Sequence, residues 1–406
     1  MDAYFTDLGR TVYDRWHRAD FSLPAFPGIA SAALEERPPS AQVDLARLMR
    51  AFLLEDEQPF QSSSGFGQPE LIVHDNPRFY IQLLFWLDGT TDIHQHGFSG
   101  AFHVLEGSSI HCEYGFERVR PVTARFRTGT LRLRRAALLE RGTTVPILSG
   151  NGCIHSLFHL ETPSVTVVIR THSDPGTDPQ FTYLPPRVAL DPAQNDPLTL
   201  RRKQLLDVLE QTGDPAYAKL VLGMVRTLDL ERGFFILQNG IAHLRALGAW
   251  DAVWKAFVAK HGAKAKPLLP TLEEIIRRDA LVALRGGITD ADHRFFLALL
   301  LNLGERERIL RMIGKRYPGS PLKTLCRWAE ELVEWSPAGT RLLDAVFPER
   351  LKVAEEEQAG LLLEALDHFV AGAPRSAGLR ALPQRHLTAL RDAFAASSWR
   401  PVLRGA

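Results

Sequence analysis

The alternation of apolar and polar positions changes period twice along this chain. Between residues 3 and 18, Tyr4, Leu8, Val12 and Trp16 recur at every fourth position, which lines one face of an α-helix. A second helix is predicted over residues 41–54, where Val43, Leu45, Leu48, Met49 and Phe52 form an apolar side. The segment between them, residues 21–40, is rich in proline and alanine and reads as a connector. Residues 61–69, small and polar with Gly65, Gly67 and Pro69, read as a flexible loop.

From Leu71 the period shortens. Phe79-Tyr-Ile-Gln-Leu-Leu-Phe-Trp86 reads as a buried strand in which Phe85 and Trp86 are core. Further short strands follow around His94 and over residues 108–116, 124–133, 144–148 and 164–171, separated by glycine or proline. About seven short strands with regular turns favour a closed antiparallel barrel over a parallel α/β sheet. Beyond Asp191-Pro192 the period becomes helical, as in Leu205, Leu206 and Leu209, or Tyr217, Leu220, Val221 and Met224. No motif recurs there at a fixed interval, so a repeat array is not expected. The expected class is α+β multidomain: an N-terminal helical cap over residues 1–58, a β-barrel over 59–188, and an all-α domain over 196–406 with its own core.

Composition narrows the function classes. Across 406 residues, 45% apolar and 23% charged content is that of a globular protein. Because 48 basic residues face 47 acidic ones, no global field draws in nucleic acid or an anionic membrane. The three cysteines, Cys112, Cys153 and Cys326, form no C-x-x-C pair, which suits a reducing compartment. The first residues lack a basic head and apolar block, and no uninterrupted apolar run approaches about 18 residues. The expected location is cytoplasmic, without a membrane span.

Two stretches carry candidate chemistry. In His94-Gln-His96 the histidines are two apart, so on a strand both imidazoles face one side. In Gly150-Asn-Gly-Cys-Ile-His155-Ser-Leu-Phe-His159 a further histidine opens another β-rich run and would complete a three-imidazole face. Such a face binds divalent iron, zinc, copper or nickel, and ligand type alone does not choose among them. His103 falls on a strand that could place it inside or outside the barrel. His111 and Cys112 are not expected to make a second site. The helical part offers no comparable cluster.

These residues resemble a known family. Gly89, His94-x-His96 and Gly107 look like the first cupin motif, and Gly152-x-x-His155-x-x-x-His159 like the second, with His159 where the family commonly has Asn. Within the cupins the run from His94 to Gly107 is most similar to thiol dioxygenases of the cysteine dioxygenase type, and the resemblance covers about residues 70–173. It implies a small β-barrel holding ferrous iron through His94, His96 and His155, with O2 as co-substrate and a sulfinic acid as product. Gly100 and Ala101 stand where other cupins have a liganding glutamate, and no Cys-Tyr cross-link is expected there.

The family's second-sphere triad has no clean counterpart. Arg170 and His172 occupy that strand and are the candidates to anchor a substrate anion or donate a proton, with His159 a candidate to orient a ligand. No arginine stands before the barrel as a carboxylate clamp. That absence, and the size of the helical part, point to a small thiol or to a peptide- or carrier-bound one, and to a protein partner reached through the C-terminal helices. Two alternatives stay open: a metallocupin acting on a non-thiol substrate, and a non-catalytic ligand-binding cupin coupled to a helical scaffold.

Overall fold

The computed structural model describes residues 3–55, 58–62, 66–87, 89–192, 196–335 and 355–404. Residues 63–65 of the expected loop therefore lie outside the described residues. The chain opens with helices α1 (Ala3–Arg18), α2 (Phe26–Glu36), α3 (Pro39–Gln42) and α4 (Leu45–Leu54). In α1 the fourfold-spaced Tyr4, Leu8, Val12 and Trp16 are all buried, as their spacing requires.

The supposed connector is itself largely helical, which corrects the reading of residues 21–40. Pro27 sits in the first turn of α2, where the missing N–H has no intrahelical acceptor in any case, and Ala30, Ala33 and Leu34 form the buried side. Helix α4 begins later than expected because Asp44 caps it, its carboxylate accepting the Arg47 N–H at 3.0 Å.

Eleven strands follow among the described residues: β1 (Glu70–Asp75), β2 (Phe79–Trp86), β3 (His94–His96), β4 (Gly100–Glu106), β5 (Ser109–Pro121), β6 (Phe126–Leu139), β7 (Thr144–Ile147), β8 (Gly150–His159), β9 (Ser164–Thr171), β10 (Thr182–Leu184) and β11 (Val188–Leu190). One sheet runs β1-β2-β9-β4-β7, and the ring β10-β11-β6-β5-β8-β3 closes through pairing of β3 with β10. The architecture is α+β and consistent with a cupin-like barrel.

The first sheet is apolar on both faces, which explains why β2 shows no alternation. Phe79, Ile81, Leu83 and Phe85 pack with Phe5, Trp16 and Phe26 of the helical cap. Leu84 and Trp86 face the other way, onto Phe102, Val104, Leu157 and Val168. The candidate site lies on that inner side, between the sheets.

The described residues after β11 are largely helical: α5 (Pro197–Gln211), α6 (Tyr217–Thr227), α7 (Leu230–Ala246), α8 (Trp250–His261), α9 (Leu269–Arg285), α10 (Ala291–Asn302), α11 (Arg306–Arg316), α12 (Pro321–Trp335), α13 (Glu355–Leu366), α14 (Ala377–Ala381) and α15 (Gln384–Ala395). These helices do not close a core apart from the barrel. Ile110, Cys112, Tyr114, Ile154 and Phe158 of β5 and β8 join one apolar cluster with Leu281, Phe295, Phe296 and Trp328. Phe126, Val188 and Leu190 join another with Phe234 and Leu237. Two buried arginines fasten the seam: Arg285 donates to the carbonyl of His159 at 3.0 Å, and Arg294 donates to the Thr162 hydroxyl at 2.7 Å. No helix among the described residues is long and apolar enough to cross a membrane.

Candidate metal centre

Strand pairing brings the three motif histidines together. The three-residue β3 lies between β10 and β8, with His94 directly opposite His155, and the register shifts before His96. That bulge lets His94 and His96 turn toward the same point from a very short strand. Ring centroids of the trio stand 4.7 to 4.9 Å apart. One ligand atom from each lies within 4.8 Å of the others, and the Nε2 atoms of His96 and His155 are 2.8 Å apart. All three side chains are buried.

Burial makes these rings neutral. Desolvation holds the pKa of His94 below the ordinary imidazole value and those of His96 and His155 well below it, with the neighbouring histidines a further cause for the latter two. A neutral imidazole is the ligating form. The Nδ1–H of His94 donates to the carbonyl of Asp92 at 2.8 Å, which fixes its tautomer and leaves a lone pair on Nε2. That Nε2 is buried and has no hydrogen-bond partner among the described residues, and the same holds for Nδ1 of His96. An unpartnered buried polar atom costs about 1–3 kcal/mol, and a divalent cation held by Nε2 of His94 would remove that cost for His94. The donor set thus fits a transition metal.

The cluster opens onto a small cavity of about 40 Å³, walled by Phe66, Trp86, Phe98, Phe102, Leu157 and Arg170 among others. No carboxylate lines it among the described residues. At position 100 none could, because a Cβ on Gly100 would stand 2.0 Å from the carbonyl oxygen of Ile169. Ala101 points outward into the cap cluster. The backbone itself therefore keeps a glutamate ligand out of this part of the site.

The other expected residues separate. Arg170 lines the cavity, with its guanidinium carbon 3.3 Å from the ring centre of Phe98. Among the described residues it donates to the carbonyls of Thr171 and His172, both at 3.3 Å, and burial lowers its pKa. His172 is exposed, bonded to the Asn76 carbonyl at 2.8 Å, and is not among the cavity residues. His159 is buried and stacks on Trp86 at 4.6 Å, with Nδ1 2.9 Å from the Ser109 hydroxyl; it makes no hydrogen bond to the trio. Trp86, read as core, also walls the cavity, and its Nε1 is buried without a partner among the described residues, as is Oε1 of Gln82.

The residue that does reach the trio is His111, whose Nε2 lies 2.9 Å from Nδ1 of His155. Its signal in the sequence is the alternation Ser109, His111, Glu113 against Ile110, Cys112, Tyr114, which turns His111 away from the apolar face of β5.

No family model matches the sequence, and no curated protein matches it. Solved structures are similar over part of the chain. TT1209 from Thermus thermophilus is 19% identical over 32% of this chain and 94% of its own, with a TM-score of 0.20. Hydroquinone 1,2-dioxygenase from Sphingomonas sp. TTNP3, crystallised with 4-hydroxybenzoate, is 13% identical over 30% and 81%, with a TM-score of 0.22. The DMSP lyase DddQ from Ruegeria pomeroyi DSS-3 is 17% identical over 44% and 95%, with a TM-score of 0.23.

Proposed function

We propose that this protein is a metal-dependent oxygenase that holds Fe(II) through His94, His96 and His155 and dioxygenates a thiol. The observation that supports the reading is the convergence of three buried, neutral imidazoles, with Nε2 of His94 unpartnered among the described residues, beside a cavity that no described carboxylate lines. When bound, ferrous iron with three protein ligands supplies open coordination positions for O2 and a thiolate, and R–SH plus O2 becomes R–SO2H with both oxygen atoms retained and no external reductant.

The chain's own groups would place the substrate. Trp86, Phe98, Phe102 and Leu157 exclude water and receive an apolar body. Arg170, which meets no carboxylate at ion-pair distance among the described residues, is the anchor for a substrate anion. Gln82 Oε1 and Trp86 Nε1 offer one acceptor and one donor to polar groups of the substrate. A cavity of about 40 Å³ admits a few atoms, so the reacting part is a small molecule or a slender thiol arm of a larger one. The aromatic walls also suit a flat carbon substrate, which is the second reading.

The test is elemental analysis of protein purified without a histidine tag and loaded anaerobically with Fe(II), followed by oxygen uptake with a panel of thiols and of phenolic acids. About one iron per chain in the parent, lost in His155→Ala, with uptake dependent on a thiol, is expected. Uptake with phenolic acids alone would move the assignment to the second reading. A parent that takes up no metal would overturn the oxygenase.

A further inference from the structure

We infer that His111 is a positioning residue that fixes the tautomer of His155, and that Glu113 stands behind it. The inference rests on the metal-site reading above. His111 lies on β5, which pairs with β8 so that Glu113 is opposite His155 and His111 opposite Leu157. Ile110, Cys112 and Tyr114 of the same strand enter the helical cluster, so the alternate positions face the site. His111 is accordingly buried and sits edge-on to His155, with ring centroids 5.1 Å apart.

The hydrogen-bond chemistry allows two proton arrangements, and only one of them suits a ligand. To ligate through Nε2, neutral His155 must carry its proton on Nδ1. The group facing Nδ1 must then be an acceptor. For His94 that acceptor is the carbonyl of Asp92, which cannot act otherwise. For His155 it is Nε2 of His111, 2.9 Å away, which accepts only if His111 carries its own proton on Nδ1. That Nδ1 faces Oε1 of Glu113 at 3.7 Å, beyond a hydrogen bond but near enough for the carboxylate to favour an N–H directed at it. Glu113 is held in turn by Arg135 at 3.2 Å. The order is therefore His155 Nδ1–H to His111 Nε2, and His111 Nδ1–H toward Glu113. It does for a metal-bound imidazole what a carboxylate or carbonyl does elsewhere, with one more ring interposed. A histidine that merely fills space would have no reason to select a tautomer.

The experiment uses the full chain and three variants, His111→Leu, His111→Gln and Glu113→Gln, each first shown to unfold cooperatively. Metal affinity is read by chelator competition with Co(II), together with the ligand-field spectrum of the bound ion. His111→Leu should weaken Co(II) by about 10- to 100-fold and change the spectrum. His111→Gln, whose amide oxygen can accept from Nδ1–H, should stay within a few-fold of the parent, and Glu113→Gln should fall between them. A His111→Leu variant with parental affinity and spectrum would overturn the assignment.

Failure of the metal-site reading looks different, because then the parent itself binds no Co(II). In that event the ¹⁵N resonances of the metal-free parent decide. A proton on His155 Nδ1 with a bare Nε2 on His111 supports the positioning role, and the reverse order refutes it.

Discussion

Two buried histidines, His103 on β4 and His94 on β3, show why burial and low basicity do not by themselves mark a ligand. Both are neutral for the same reason: desolvation lowers the pKa of each, to about 4 for His103. They differ in what their nitrogens meet. His103 places Nδ1 2.9 Å from the Thr144 hydroxyl and Nε2 2.9 Å from the Ser40 hydroxyl. A hydroxyl donates or accepts as required, so both nitrogens are satisfied in either tautomer and no lone pair is left over. His94 spends Nδ1–H on a carbonyl and leaves Nε2 with nothing. His103 is a clamp between the barrel and the N-terminal helices; His94 keeps an unused lone pair beside two other imidazoles. What separates the two is therefore the place of His94 in a cluster of three imidazoles, with a lone pair left over, and not burial.

The largest way to break that comparison is to exchange the two losses. His94→Ala should take metal stoichiometry from about one to background, while the metal-free protein loses less stability than with His103→Ala, because one hydrogen bond is removed and not two. His103→Ala should leave stoichiometry unchanged and lower stability by about 2 kcal/mol, from two lost hydrogen bonds and the space left behind. Elemental analysis and urea unfolding of the two variants read both effects. Metal loss in His103→Ala with a fold otherwise intact would mean the two sites are not separate.

How far this contrast could be read from the chain depends on what period-two spacing fixes. His94 and His96 share a strand face by spacing alone, and the second histidine motif supplied His155, so the trio was legible before any coordinate. The side of the sheet for His103 was not, because β4 is apolar on both faces and gives no alternation to follow. His111 was missed for a different reason. Its place beside His155 is set by the register of β5 on β8, a long-range pairing that local pattern does not encode. Helix α2 was hidden by Pro27, which signals a break in mid-helix but a start in the first turn. Strands β10 and β11, of three residues each, are too short to carry a period, yet their pairing with β3 and β6 closes the ring that holds His94.

A smaller effect sharpens the clamp side. The His103 pKa is depressed in the fold from the ordinary value of 6.5 to about 4, so the unfolded chain binds a proton first as pH falls. Its contribution is intact above pH 6.5 and is lost progressively as pH drops toward 4. In metal-free protein the slope of unfolding free energy against pH across that window should be shallower in His103→Gln than in the parent, by up to one proton. His111 and His159, depressed to about 4 and about 3, keep the same sign in both proteins. An unchanged slope would mean that His103 is already protonated in the fold.

The smallest effect isolates one half of the clamp. Ser40→Ala removes the partner of Nε2 while the Thr144 hydroxyl still holds Nδ1. The backbone carbonyl of Ser40, which accepts from Arg141, is unaffected by the change. About 1 kcal/mol should be lost, roughly half the cost of His103→Ala, with metal binding unaltered. Equal losses for the two variants would place the whole clamp on the Ser40 contact and assign the Thr144 bond no net stability. No loss at all would mean that water replaces the serine hydroxyl at the edge of α3, so that Nε2 of His103 stays partnered and the contrast with His94 holds.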